Sequence, residues 1–321
     1  MTGPARIAVV FATHNRARRL EALLASLRRQ TLPAGSFEVV VVDDASGDDT
    51  PEVLERERLR GELDLTLLRL DPGEGPAAAR NAGWRAAKAP LVAFTDDDCR
   101  ADPRWLEAGL EALESGGGAF VQGRTEPDPD ESGLAGPFSR TLSIGRLGPF
   151  FQTCNVMYPR EVLERVGGFD QQTFTVPGGE DADLAWRAMG SGAGAVFVPE
   201  ARVFHAVSRL GPVGKLRVAW RWHETMRIFA LYPDLRRAEL THGVFWKGSH
   251  YLLFRLLLAL ALRRAPRGLR IWLARPYLLH LLERGRVEGG GPALAPYYLL
   301  HDLVEMAAAI RGSARYRTLV L

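Results

Sequence analysis

The sequence predicts an α/β fold, a mostly parallel sheet flanked by helices, followed by an α-helical C-terminal region. Three observations carry this. Short β-branched and apolar runs recur along the front of the chain, each bounded by turn or polar residues. Between them lie segments with apolar residues at helical spacing. From Gly211 onward the spacing is helical to the last residue. Strand–helix repetition of this kind builds βαβ units, whose parallel sheet is covered on both faces.

The elements follow in order. IAVVFA (7–12), FEVVVVD (37–43), DLTLLRL (64–70) and PLVAFT (90–95) are the expected strands. The first expected helix is 17–30, where Leu20, Leu23, Leu24 and Leu27 fall on one face. Others are 50–60 after the turn SGDDTPE, then 76–88 and 103–114. Residues 124–149, RTEPDPDESGLAGPFSRTLSIGRLGP, are rich in Pro, Gly, Asp and Ser and read as one long loop. A strand at FFQTCNVMY (150–158) and a helix from Pro159 come next. A further helix opens near Glu180, and AVFVPEARVFH (195–205) supplies one or two strands.

Composition bounds the rest. With 321 residues, 46% of them apolar and 25% charged, the chain has the balance of an ordinary globular protein. Cys99 and Cys154 are the only cysteines, so no disulfide framework is expected and a reducing cytosolic setting is the default. The opening MTGPARIAVVFA has no basic stretch leading into a long apolar run, so no signal peptide is expected.

The net charge of +3 hides a polarity. Residues 1–214 carry 23 Lys/Arg against 31 Asp/Glu, and residues 215–321 carry 18 against 7. The most apolar segment, HYLLFRLLLALALRRAPRGLRIWLARPYLLHLL (250–282), lies in the basic tail. Its core run Tyr251–Leu262 has 12 residues and contains Arg255, well short of the ~20 a spanning helix needs. With Arg263, Arg264, Arg267 and Arg270 beside it, the segment reads as an interfacial helix on anionic lipid. The plainer alternative is a helical pair packed on the rest of the chain or on a second subunit. Richness in Leu, Trp and Tyr favours a membrane surface over nucleic acid.

In parallel sheets ligands sit beyond the carboxyl ends of the strands. There fall THNR (13–16), DDASGDD (43–49) and TDDD (95–98). Three adjacent carboxylates, Asp96, Asp97 and Asp98, exceed what capping the next helix requires, and they repel one another. A divalent cation removes that repulsion, and Mg²⁺ or Mn²⁺ takes oxygen ligands together with substrate phosphates. In VVVVDDASGDDT (39–50), Ser46 or Asp48 serves as a helix cap, or a strand-tip carboxylate accepts the N–H of a nucleobase. Asp44, more than Asp43, is expected to leave the strand and face the crevice.

VVFATHNRARRLEALLASLRRQ, VVVVDDASGDDT, GPAAARNAGWRAA, LVAFTDDDCRADPRWL, CNVMYPREVLERVGGFD and GGEDADLAWRA stand in the order expected of glycosyltransferase family 2. Residues 6 to 205 resemble that family; the basic tail does not. The resemblance implies a Rossmann-like GT-A catalytic domain over 1–210, with a nucleotide-sugar half to about residue 100 and an acceptor half beyond it. Residues 211–321 would form a separate basic helical region, either membrane-associated or pairing with another subunit.

The resemblance also implies a UDP-, GDP- or dTDP-sugar donor, a carbohydrate or lipid-linked acceptor, and a role in cell-surface polysaccharide or glycolipid synthesis. The expected place is the cytosol or the inner face of the membrane. Thr13 and Asn15 match the segment lining the base, and Asp44 the acid that hydrogen-bonds it. Asp96 and Asp97 match donor-facing acids and Asp98 the metal ligand, with Asp97 the alternative for the ion. Arg80 and Asn81 match an element beside the donor, where Arg80 pairs a phosphate or braces an aspartate.

Asp181 matches the catalytic base, with Glu180 the alternate. Asp183 reads as a favourable first-turn acid, and His205 as a metal ligand or a structural residue. One base and one metal imply direct displacement with inversion. A nucleotidyltransferase would want a Gly-rich basic loop after the first strand, and FATHNRARRL has none. A non-catalytic sugar-nucleotide-binding protein would have no use for the intact DDD and GGED.

Overall fold

The computed structural model describes residues 4–321. Its first part runs β1 (Ile7–Thr13), α1 (Ala17–Leu27), β2 (Phe37–Asp44), α2 (Thr50–Arg60), β3 (Leu65–Leu70), α3 (Pro76–Ala86) and β4 (Leu91–Thr95). Then come β5 (Cys99–Ala101), α4 (Trp105–Ser115), β6 (Phe120–Pro127), β7 (Ser139–Arg140), β8 (Asn155–Pro159), α5 (Arg160–Val166), α6 (Glu180–Gly190), β9 (Ala195–His205) and β10 (Ser208–Arg209). The helical remainder is α7 (Gly211–Leu231), α8 (Pro233–Glu239), α9 (Gly248–Ala261), α10 (Arg267–Val287) and α11 (Ala295–Tyr316).

One sheet has the order β3-β2-β1-β4-β8-β6-β9-β5. Strands β3, β2, β1 and β4 are parallel, as are β6 and β9; β8 and β5 run against their neighbours. Alternate residues of β1 and β2 feed two cores. Ile7, Val9, Phe11, Val39 and Val41 pack with α1 leucines and Trp105 on one face, and Ala8, Val10 and Val40 pack with Trp84, Phe94 and Leu184 on the other. Burial on both faces explains why the strands read as continuous apolar runs. Each fully buried Val, Leu or Phe contributes about 1.5–3 kcal/mol relative to an exposed one.

Two expectations change. The stretch 124–149 is not one irregular loop: β6 extends to Pro127, a 3₁₀ turn follows over Pro129–Leu134, and Thr125 bridges Ile144. Strand β6 was masked in the sequence by its polar residues, which are satisfied locally. Gln122 donates to the Asn155 carbonyl, and the Asn155 amide donates to the carbonyls of Arg124 and Ala201. Gly123 is required there, because a Cβ would lie 2.2 Å from the Ala201 carbonyl oxygen. The expected strand 150–158 begins only at Asn155, after Phe151 turns the chain with φ +43°.

The chain forms two compact units. The first runs to Ser132 and resumes over Thr141–Val207; the second comprises Gly133–Arg140 and Ser208–Leu321. The excursion 133–140 joins the second unit because β7 pairs with β10, Ser139 opposite Arg209. In that unit Leu253, Tyr277, Leu281, Tyr298 and Met306 form the apolar core. Beside it lies a buried polar cluster: Lys247 holds Glu305 at 2.6 Å, while Arg284 at 2.8 Å and the Tyr277 hydroxyl at 2.9 Å hold Asp302. Among the described residues, no helix is long and apolar enough to cross a membrane.

Candidate active site

Parallel pairing sets the tips of β1, β2 and β4 side by side, with Thr13 opposite Asp43. The chain leaves β4 through Asp96, Asp97 and Asp98 and turns at once into β5, the Cys99 amide donating to the Asp96 carbonyl at 3.0 Å. Pairing of β5 with β9 places Cys99 opposite His205, which brings His205 Nε2 to 3.5 Å from Asp98 Oδ1. The other ring nitrogen, Nδ1, lies 2.9 Å from the Ala206 carbonyl, which can only accept, so Nε2 is the nitrogen left to face Asp98. Asp96, Asp98 and His205 each present one ligand atom, all within 4.8 Å of one another. Two carboxylates and one imidazole nitrogen, with the ring fixed from behind, form a donor set suited to a hard divalent ion such as Mn²⁺ or Mg²⁺.

Arg80, on α3, joins this set to the N-terminus of α6. Its guanidinium donates to Asp96 at 2.9 Å and lies 3.6 Å from Glu180 and 3.7 Å from Asp181. Burial opposes its charge, but Asp96, Asp181 and Glu180 hold its pKa above the usual arginine value. Asp181 has one oxygen tied to the Thr153 amide at 3.0 Å, while the other, Oδ1, is buried with no hydrogen-bond partner. Burial, then the neighbouring Glu180 charge, pushes Asp181 up to about 7 against the pull of Arg80. Gly178 and Gly179, at φ 156° and 115°, carry the backbone into α6, and the Gly178 amide donates to Glu180. Asp183 stands in the first turn of α6, as expected, and pairs with Arg187 one turn on.

Asp97 is buried, and burial followed by the Asp98 charge pushes it up to about 7; Arg16, 3.9 Å away, opposes the shift. At the β1 and β2 tips, Asn15 sits at φ +55° and accepts from the amides of Gly47 and Asp48, while its own amide donates to Ser46. Asp44 accepts from the amides of Glu74 and Gly75 at 2.7 and 2.9 Å, and Asp43 pairs with Arg69. Asn15, Arg16, Arg19 and Asp48 are among the residues lining an open cleft of about 610 Å³.

Comparison with known proteins settles the family. The family model for glycosyl transferase family 2 matches residues 8–169, and that for glycosyl transferase family group 2 matches residues 91–282. The chain belongs to glycosyl transferase family 2. A curated relative, validoxylamine A glucosyltransferase of Streptomyces hygroscopicus subsp. jinggangensis, is 34% identical over 217 residues, covering 56% of this chain and 50% of its own. The chain thus spans about half the length of the curated relatives it matches first.

Among solved structures, the mannosyltransferase PcManGT from Pyrobaculum calidifontis, in complex with GDP-Man and Mn²⁺, aligns over 97% of this chain and 88% of its own. The TM-score is 0.63 at 24% identity. S. aureus TarS 1-349 in complex with UDP-GlcNAc aligns over 98% and 92%, with a TM-score of 0.55 at 18% identity. Both share the GT-A fold with this family member.

Within that fold, Arg80, Asp96, Asp97, Asp98, Glu180, Asp181 and His205 form one run of neighbouring side chains. Asn15 and Asp44 lie at the adjoining tips, and Thr13 is buried at the end of β1. Asn81, expected beside the donor, turns its side chain to the chain itself. Its amide donates to Phe169 and Gln171 and its carbonyl accepts from Trp84 and Phe169, so every hydrogen-bonding position is filled from within the chain. It enters the site as a support of the 169–171 turn. Sequence reasoning missed Thr153, whose contribution is a backbone amide and carries no side-chain signal. It also passed over Arg16, for which the signal was a basic residue at a strand tip in THNR.

Proposed function

We propose that the chain is a glycosyltransferase that moves a sugar from a nucleoside diphosphate to an acceptor hydroxyl with inversion. The observation that carries this is the buried Asp181 Oδ1, which accepts no hydrogen bond within the chain and which Arg80, 3.7 Å away, joins to the acids at the β4 tip. Asp181 Oδ1 takes the acceptor proton while the acceptor oxygen bonds to the anomeric carbon. The bond from that carbon to the diphosphate oxygen breaks, and the oxygen leaves with the electron pair. No covalent nucleophile takes part, so one displacement inverts the centre. Burial, and after it the Glu180 charge, keep Asp181 poised by raising its affinity for a proton.

Asp96, Asp98 and His205 would hold Mn²⁺ or Mg²⁺, which when bound supplies positive charge to the departing diphosphate. Asp96 and Asp97 face the ribose side of the donor. Thr13 and Asn15 line the base, and Asp44 accepts from it with the lone pairs its backbone contacts leave free. The donor is a UDP-, GDP- or dTDP-sugar and the acceptor a carbohydrate or lipid-linked hydroxyl of cell-surface polysaccharide or glycolipid synthesis. GDP-Man and UDP-GlcNAc in the two structural neighbours support that donor class.

The test is release of nucleoside diphosphate from a panel of sugar donors with Mn²⁺ or Mg²⁺. Asp181→Asn should lower kcat by about 10²–10⁴-fold with donor affinity retained, and Asp98→Ala should remove the metal requirement of donor binding. Unchanged turnover in both variants would refute these roles. Release of pyrophosphate would mark a nucleotidyltransferase instead.

A further inference from the structure

Helices α9 and α10 pack against each other, with Leu253, Tyr277 and Leu281 in one core, yet their outer faces are apolar too. On α10, Ile271 and Trp272 are 64% and 63% exposed, and Leu278, Leu279 and Leu282 continue the same face at helical spacing. On α9, Phe254, Leu257 and Leu260 are likewise exposed. A helix pair that ended at water would carry polar residues there, and a patch of this extent marks a binding surface.

The charge around the patch has one sign. From Gly248 to Leu282 there are six arginines and no Asp or Glu. Arg263, Arg264 and Arg267 are exposed where α9 connects to α10. Arg255 lies over the Trp272 ring at 4.6 Å and donates to the Trp272 carbonyl at 3.1 Å. An indole paired with a guanidinium suits the depth at which acyl chains give way to phosphate. A second copy of the chain is disfavoured, because joining the same face twice would bring six arginines against six. A span is excluded for these helices, as none is long and apolar enough.

We propose that the α9–α10 hairpin docks the protein on an anionic lipid surface. It lies in the plane of the headgroups, with Trp272, Ile271 and Leu278 in the acyl boundary and the Arg263–Arg267 connection among the phosphates. This stands independently of the transferase reading.

The experiment is flotation of the full chain with phosphatidylcholine vesicles, with and without phosphatidylglycerol. Wild type should float with the anionic vesicles and stay behind with the neutral ones. The triple variant Arg263→Gln, Arg264→Gln, Arg267→Gln should partition about a hundredfold more weakly, and Ile271→Ser with Trp272→Ser likewise by about a hundredfold or more. All five residues are exposed, and matching melting curves confirm that the variants fold. Failure to float with anionic vesicles overturns the proposal and leaves the face to an acidic protein. Equal flotation with neutral vesicles, or an unaffected triple variant, overturns it as well. So does a concentration-dependent dimer that Trp272→Ser abolishes.

Discussion

Asp302 and Glu305 in the helical unit have one basic partner each, Arg284 and Lys247, and histidines fill the space between. At the strand tips Arg80 serves Asp96, Glu180 and Asp181, Arg16 lies 3.9 Å from Asp97, and Asp98 has only His205 beside it, so five carboxylates meet two arginines. Both clusters bring histidine and acid ligand atoms within 4.8 Å, so spacing alone does not tell them apart. Charge balance does. Burial works against ionisation in both, but His250 and Lys247 hold Glu305 down to about 2, and His301 and Arg284 hold Asp302 below its usual range. At the tips burial prevails and Asp97 and Asp181 rise to about 7. The helical cluster is electrostatically complete; the strand-tip cluster calls for a cation.

The largest expected effect breaks the complete cluster. Asp302→Ala leaves Arg284 with only the more exposed Glu288 and the buried Tyr277 hydroxyl with no acceptor, and should destabilise the helical unit by about 3 kcal/mol, read as a lower denaturant midpoint. Next is completion of the other cluster. Mn²⁺ at a hundred times its Kd should stabilise the protein by about 2.7 kcal/mol, and Asp98→Ala should abolish the gain.

The third prediction concerns pH in metal-free buffer. Asp181 has a folded pKa of about 7 against an ordinary 3.8, so the folded state holds more protons between those values. Stability should therefore fall as pH rises through that window, and Asp181→Asn should remove about half of the slope, with Asp97, also at about 7, supplying the rest. Glu305 behaves oppositely. Its contribution is present above its ordinary 4.5 and is lost only as pH falls through about 2. The smallest effect is that of Asp98→Ala without metal, which should leave stability unchanged or raise it by up to about 1 kcal/mol, since it removes a like charge.

This contrast was half legible in the sequence. The strand-tip acids were visible because three adjacent Asp after an apolar run have no economical structural use. Strands β1 and β2 and helix α1 were visible because burial imposes period and apolar content on Val39–Val42 and Leu20–Leu27. Strand β6 was not, because Gln122, Arg124 and Glu126 make it polar while Asn155 and Arg202 satisfy it from elsewhere in the chain. The excursion of residues 133–140 into the helical unit rests on a two-residue ladder with β10, a non-local pairing without a composition signal. Arg80 read as pairing a phosphate or bracing an aspartate; it does hold Asp96, but that Glu180 and Asp181 flank it as well required the fold. The helical cluster was unread because Lys247, His250, Arg284 and Asp302 come together from separate helices and connections.

Mn²⁺ titration by calorimetry, with and without a nucleoside diphosphate, tests the strand-tip site most directly. Wild type and His301→Ala should each bind one ion, more tightly when the nucleotide is present, whereas Asp98→Ala should not bind. Equal Mn²⁺ affinity in wild type and Asp98→Ala, or loss of the ion in His301→Ala alone, would contradict the assignment.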